Sequence, residues 1–178
     1  VERSRGLGDV YKRQMQHTPL LMSNILDRGA TVAPNEEIVT LTETGVRLQS
    51  YRETRDRAHQ LAHALAGAGI KVGDRVGTFM WNGSRHLEAY HAVAGMGAVL
   101  HTLNVRLSPK ALEYIINHAE DQIIIVDADV LPLLEVLNGK IPTVRKIVVA
   151  TEDGFEGWST QLPDAVDYEA VSYTHLRA

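Results

Sequence analysis

The segment QIIIVDA, residues 122–128, constrains the fold more than any other. Ile123 to Val126 carry no polar residue, so the apolar–polar alternation of a strand with one wet face is missing. A strand buried on both faces needs helices above and below it, and such strands belong to parallel sheets. DRVGTFM (74–80), AVLHTLN (98–104) and VRKIVVAT (144–151) read as three more strands. Helical patterns separate them. One is capped by Ser84 and runs to about Met96, where Gly97 ends it; another starts at Ser108-Pro109 and runs to about His118; a short one is VLPLLEVL. Four strands alternating with amphipathic helices predict an α/β fold, a parallel helix-covered sheet with right-handed crossovers. Ligands of such sheets collect beyond the carboxyl ends of the strands, which singles out residues 81–84, 104–109 and 127–129.

The N-terminal third predicts smaller units. In TPLLMSNIL, Thr18 suits an N-cap and Pro19 a first helical position, with Leu20, Leu21, Ile25 and Leu26 as one apolar stripe. EEIVTLT and VRLQS, split by ETG, read as a hairpin with Gly45 in its turn. Ser50 and Glu53 then form the capping pattern S-x-x-E. The helix behind them sets Ala58, Leu61, Ala62 and Leu65 on one face and stops at Gly67 and Gly69. After Glu152 the chain turns polar, with Gly154, Gly157 and Pro163, and the pattern fades.

Both ends break the globular pattern. One legal codon choice for SRGLGDVYKRQ, residues 4–14, read on the opposite strand in another frame, gives VSYTHLRA, residues 171–178. One DNA string therefore encodes both ends, and it resembles a transposase sequencing adaptor. Processing scars are set aside before fold reasoning. Residues 1–14 and 171–178 are expected to be non-native tails, and residues 15–170 the protein proper, a truncated first subdomain.

Without those tails the charge balance of 18 basic against 22 acidic residues becomes 13 against 20, a net −7. A nucleic-acid partner wants the opposite excess. The chain has no cysteine, which excludes disulfides, thiolate metal sites and a cysteine nucleophile. No apolar run reaches the length of a membrane span. A cytoplasmic protein is expected.

The familiar catalytic patterns fail one by one. Gly67, Gly69 and Gly73 follow a helix and precede a strand, the reverse of a dinucleotide fingerprint. No G-x-x-x-x-G-K-[ST] phosphate cradle and no G-x-S-x-G nucleophile elbow occurs. His59 and His63 have the i, i+4 spacing of two metal ligands, but Gln60 stands where a zinc protease needs glutamate, so a solvated helix face is the default. His86 and His91 point to different sides of their helix. His101, inside a strand, reads as a satisfied core histidine. Ser50, Ser84 and Ser108 sit where caps are wanted, and Glu36-Glu37 and Glu120-Asp121 lie at element ends where solvation is the default. No catalytic residue and no metal site is assigned.

A longer signal lies in WNGSRHLEAYHAVAGMGAVLHTLNVRLSPKALEYIINHAEDQIIIVD, residues 81–127, preceded by SYRETRDRAHQLAHALAGAGIKVGDRVGTFMWN. These stretches, with TPLLMSNIL and PTVRKIVVA at the flanks, closely resemble the N-terminal region of AMP-forming acyl-CoA ligases, particularly bacterial medium- and long-chain fatty-acid ligases. The resemblance implies a carboxylic acid, ATP with Mg2+, and coenzyme A as reactants of the intact enzyme. The acid becomes an acyl-adenylate, and the thiol of coenzyme A then displaces AMP. The family's phosphate-loop text, of the form SGTTGxPKG, is absent from this sequence. The fragment alone is therefore expected to be inactive, to bind no cofactor tightly and to expose apolar surface; a homodimer is compatible with the intact enzyme. By the same resemblance, Asn104 and Arg106 are candidate contacts to the coenzyme A nucleotide, a guanidinium fork being suited to phosphate. The alternatives are that Asn104 merely closes a turn and Arg106 neutralises its surroundings. Val105 stands where the family often carries proline, which is expected to loosen that loop. Two other functions stay open: a non-catalytic α/β binding or interaction module, and an aryl-acid ligase or carrier-protein adenylation domain.

Overall fold

The structure, a computed structural model, describes residues 19, 21–42, 45–151, 158–162 and 164–173. The expectations on Thr18, Leu20, Glu152, Gly154, Gly157, Pro163, residues 1–14 and residues 174–178 lie outside the described residues. Helix α1 spans Met22–Val32, and the hairpin strands β1 (Glu37–Thr42) and β2 (Gly45–Ser50) pair antiparallel, Thr42 opposite Gly45. Then follow α2 (Tyr51–Gly67), β3 (Arg75–Phe79), α3 (Ser84–Gly95), β4 (Val99–Thr102), α4 (Pro109–Ala119) and β5 (Ile123–Asp127). The chain continues through α5 (Leu131–Glu135), β6 (Lys146–Ala150), β7 (Ala165–Asp167) and α6 (Tyr168–Tyr173).

Strands β3 to β7 form one parallel sheet in the order β4-β3-β5-β6-β7. Strand β5 is its centre, and all four residues Ile123–Val126 are fully buried. Ile123 and Ile125 face the layer of α1, α2 and α3, packing with Leu61, Leu65 and Val93. Ile124 and Val126 face the other side, with Leu112, Ile116, Leu131 and Leu134. Alternate side chains of one strand thus hold two helical layers together, each fully buried side chain contributing about 1.5–3 kcal/mol.

The stops of α2 and α3 are built alike. Gly69 and Gly97 take φ of 86° and 81°, where a Cβ is costly. The turn lets Ile70 N–H reach the Leu65 carbonyl and Ala98 N–H reach that of Val93, turning the chain straight into a strand.

Three expectations need correction. The helix after TPLL begins at Met22, so Pro19 lies before it; its buried face is Leu26 and Ala30, whereas Leu21 and Ile25 are exposed. Ser84 is not the cap of α3: Gly83 holds that position without a side-chain bond, and Ser84 is buried inside the first turn. The sheet has a fifth strand, β7, followed by α6, in the region where periodicity fades. Helix α6 runs from Tyr168 to Tyr173. By contrast, Ser50 and Ser108 cap as expected, accepting from Glu53 N–H at 3.2 Å and Ala111 N–H at 3.4 Å.

Candidate functional site

All five sheet strands run the same way, so their carboxyl ends share one edge. From β3 the chain crosses to β4 on one side; from β5 it proceeds to β6 on the other. The crevice between the ends of β3 and β5 is therefore the topological switch point, the place where such sheets seat ligands. Trp81 leaves β3 there. Its backbone N–H donates to Asp127 Oδ2 and its indole N–H to Asp129 Oδ2, both at 2.7 Å. The loop after β3 is thereby laced to the loop after β5, and the indole, 47% exposed, forms part of the rim.

His86 holds this loop from below. Its Nδ1 is 3.1 Å from the Trp81 carbonyl and its Nε2 3.0 Å from Thr78 Oγ1. A carbonyl only accepts, so Nδ1 carries the proton and Nε2 accepts from the Thr78 hydroxyl. Burial pushes the His86 pKa down, which agrees with one proton on the ring. His86 is a strut, with both nitrogens engaged. Beside it Asn82, Gly83, Leu87 and Tyr90 meet Ile38, Val39 and Thr40 of the hairpin around a cleft of about 240 Å3.

On the same edge, beyond β4, Asn104 Oδ1 accepts from the Arg106 backbone N–H at 2.9 Å, and the Asn104 carbonyl accepts from Leu107 N–H. Asn104 therefore closes a turn that sets the entry to α4. Val105, between Asn104 and Arg106, is partly buried and packs against the apolar cluster that holds Phe79, Leu103 and Leu112. Asn104 and Arg106 are both exposed, and among the described residues no hydrogen bond or ion pair engages the Arg106 guanidinium. The sequence placed these two residues in one loop, and the structure does so.

A buried polar network, invisible in the sequence, ties four elements together behind this edge. Glu88 on α3 has no exposed surface; its Oε1 accepts from Arg57 Nε at 2.6 Å and from Gln49 Nε2 at 2.8 Å, and its Oε2 from the Tyr168 hydroxyl at 2.7 Å. Arg57 also grips Glu169 with two bonds of 2.9 and 2.8 Å, and Arg85 Nε donates to Glu169 at 3.1 Å. Burial works against the charge on Arg57, but Glu169 and Glu88 hold its pKa above the ordinary guanidinium value. Burial likewise opposes the Glu169 carboxylate, and Arg57 and Arg85 still hold it below the usual range. The Tyr168 pKa is pushed well up by burial and by Glu88. Two cations and two anions balance, as buried charges must.

Asp121 corrects another expectation. It is not solvated but fully buried, 2.8 Å from His101 Nδ1. Burial raises its pKa while His101 and Arg75 lower it. His101 is partnered, as a satisfied histidine should be. His59 and His63 line a cavity of about 340 Å3 with Asp27 and His91, floored by Ala58, Ala62 and Ala92. His59 Nε2 lies 3.5 Å from Asp27 Oδ1, yet among the described residues no three donors converge as a metal site. No described helix is long and apolar enough to cross a membrane.

A family model described as AMP-binding enzyme matches residues 26–174. A long-chain-fatty-acid–CoA ligase of Thermus thermophilus is 44% identical over 84% of this chain, and a 3-methylmercaptopropionyl-CoA ligase of Ruegeria pomeroyi is 42% identical over 76%. A medium-chain-fatty-acid–CoA ligase of Ectopseudomonas oleovorans is 35% identical over 88%. The chain spans 28%, 25% and 29% of these relatives' lengths. Among solved structures, an anthranilate CoA ligase in complex with anthranoyl-AMP superposes with a TM-score of 0.73 at 25% identity, covering 89% of this chain and 29% of that one.

Proposed function

Because the chain belongs to the AMP-binding enzyme family, we propose that it forms one wall of an AMP-forming fatty-acyl-CoA ligase. The observation that carries this reading is the 44% identity to a long-chain ligase through a region whose sheet, switch point and loops fit together as one unit. In the intact enzyme a carboxylate, a poor acyl donor, attacks the α-phosphate of ATP and releases pyrophosphate. The resulting acyl-adenylate has AMP as leaving group, and the thiol of coenzyme A displaces it. The family's phosphate-loop text is absent from this sequence, so no residue of this chain is offered to the triphosphate. Its role is to hold a rim rigid: His86 fixes the Trp81 loop, Asp127 and Asp129 lace the crevice, and the Asn104 turn presents Arg106.

Arg106 on that turn is the group offered to a coenzyme A phosphate. The test uses the Thermus ligase with its matched region replaced by this chain. Arg106→Ala in this chimera raises KM for coenzyme A about tenfold, the value of about 1.4 kcal/mol for one exposed charge-assisted bond, and leaves ATP–pyrophosphate exchange unchanged. Equal KM values remove Arg106 from the site. The 42% and 39% identities to 3-methylmercaptopropionyl-CoA ligases favour a second substrate reading, a short thioether acid. Rates of the chimera on the two acids, compared with those of the Thermus parent, decide between them. A cytoplasmic setting belongs to the same reading.

A further inference from the structure

Four small residues, Ala58 and Ala62 on α2 with Ala92 and Gly95 on α3, line the cavity of about 340 Å3, to which α1 adds Ser23, Leu26 and Asp27. Ala58, Ala92 and Leu26 are buried, so the floor is apolar. Helix α3 leaves the carboxyl end of β3 and returns to the amino end of β4. Its C-terminal half therefore places the cavity toward the amino edge of the sheet, away from the Trp81 crevice. The mouth is polar. The Asp27 side chain is 46% exposed, and its nearest imidazole nitrogen, His59 Nε2, is 3.5 Å away, longer than a good hydrogen bond. Half-buried His91 forms part of the wall, and its Nδ1 is buried with no hydrogen-bond partner among the described residues. Burial pushes the His91 pKa down against the pull of Asp27, so the ring is neutral at neutral pH and one nitrogen keeps a lone pair. An unpartnered buried nitrogen is costly, and a small turn of the ring brings it to a donor in the cavity.

We propose that this cavity binds a small primary amine with an apolar ring body, the body on the alanine floor and the ammonium donating to Asp27 and His91. The inference stands apart from the ligase reading, since no residue of the rim takes part. Size sets the body. A cavity of about 150 Å3 holds benzene, so one of about 340 Å3 holds roughly twice as many heavy atoms, about twelve. Charge sets the head. The Asp27 carboxylate draws a cation and repels an acid of the same shape, and a hydroxyl gains the hydrogen bonds without the charge. His59, His63 and His91 with Asp27 also invite a divalent metal, but among the described residues no three such groups are placed to hold one.

Tryptamine, with about twelve heavy atoms, is the probe; tryptophol and indole-3-acetate carry the same ring with a neutral and an anionic head. Each is titrated into the 178-residue chain and into the Thermus chimera while the imidazole proton resonances are followed, those of His59 and His91 assigned through His59→Gln and His91→Gln. Tryptamine shifts both saturably, with a Kd on the order of 1 mM, and leaves His86 and His101 in place. Tryptophol binds at least about fivefold more weakly, and indole-3-acetate more weakly still. Asp27→Asn keeps the cavity and cancels the preference for the amine, whereas Ala62→Leu fills it and abolishes binding of all three. Asp27 is half-exposed, so its substitution leaves the fold intact and decides the matter even where Ala62→Leu does not fold. No saturable shift in either protein, equal affinity for amine and acid, or an amine preference that survives Asp27→Asn overturns the proposal. Binding by the chain that is lost in the chimera overturns it too, since the further polypeptide then fills the cavity. Zinc ion that shifts the same resonances at micromolar concentration and expels tryptamine overturns it in favour of a metal.

Discussion

Removing Glu88 is the sharpest test of how this unit is held together. Its carboxylate accepts from Arg57, Gln49 and Tyr168, so Glu88→Ala removes one bond from each of the three, Gln49 keeping Thr54 and Arg57 keeping Glu169. Breaking a buried ion pair from one side costs about 3–5 kcal/mol. Arg57 retains Glu169, which lowers that figure, and the bonds lost by Gln49 and Tyr168 raise it by about 1 kcal/mol each. The expected loss is about 4 kcal/mol, a large share of the 5–15 kcal/mol typical of a domain. With a urea slope of about 2 kcal/mol/M, the midpoint followed by circular dichroism falls by about 2 M. Tyr168→Phe alone costs about 1 kcal/mol, and it costs almost nothing further in the Glu88→Ala background, because the bond it removes is already gone. A midpoint shift below about 0.5 M, or strictly additive losses, refutes the view that Glu88 is the hub.

Other consequences follow. His86 and His91 both have pKa values lowered by burial, so their stabilising contribution is complete above the ordinary value of 6.5 and is lost as pH falls below it. The melting temperature therefore drops between pH 7.5 and 5.5, and His86→Asn flattens that slope; an unchanged slope counts against the strut. Glu169, lowered in the folded state, contributes stability above the ordinary carboxylate range that disappears as pH falls through its depressed value, so Glu169→Gln reduces stability at pH 7 and little at pH 2. Gly77→Ala places a Cβ 3.2 Å from Ile124 and 3.3 Å from both Asp121 and Leu103, and lowers stability by about 1–3 kcal/mol in a urea titration.

The central sheet was legible because burial on two faces leaves a local mark. Ile123–Val126 announce it without any partner being known, and the glycines ending α2 and α3 mark where each strand begins. The last strand and helix left no such mark. β7 is three residues long and half-buried, and α6 is anchored by Tyr168 and Glu169, whose partners lie 80 and 112 residues away. No window of local pattern spans that distance. Asp121 was misread for a related reason: a carboxylate at a helix end is usually wet, and only the fold brings His101 and Arg75 to it. At the edge, the Asn104 turn is a short-range device and was readable. The Trp81 lacing to Asp127 and Asp129 was not, since it joins loops of different strands.

The most direct measurement places the 178-residue chain and the Thermus chimera side by side in one assay of acyl-CoA formation from a long-chain acid, ATP and coenzyme A. A structural wall without the family's phosphate-loop text yields no product alone and restores turnover within the chimera. Product from the chain by itself, or a folded chimera that stays silent while the Thermus parent turns over, contradicts the account.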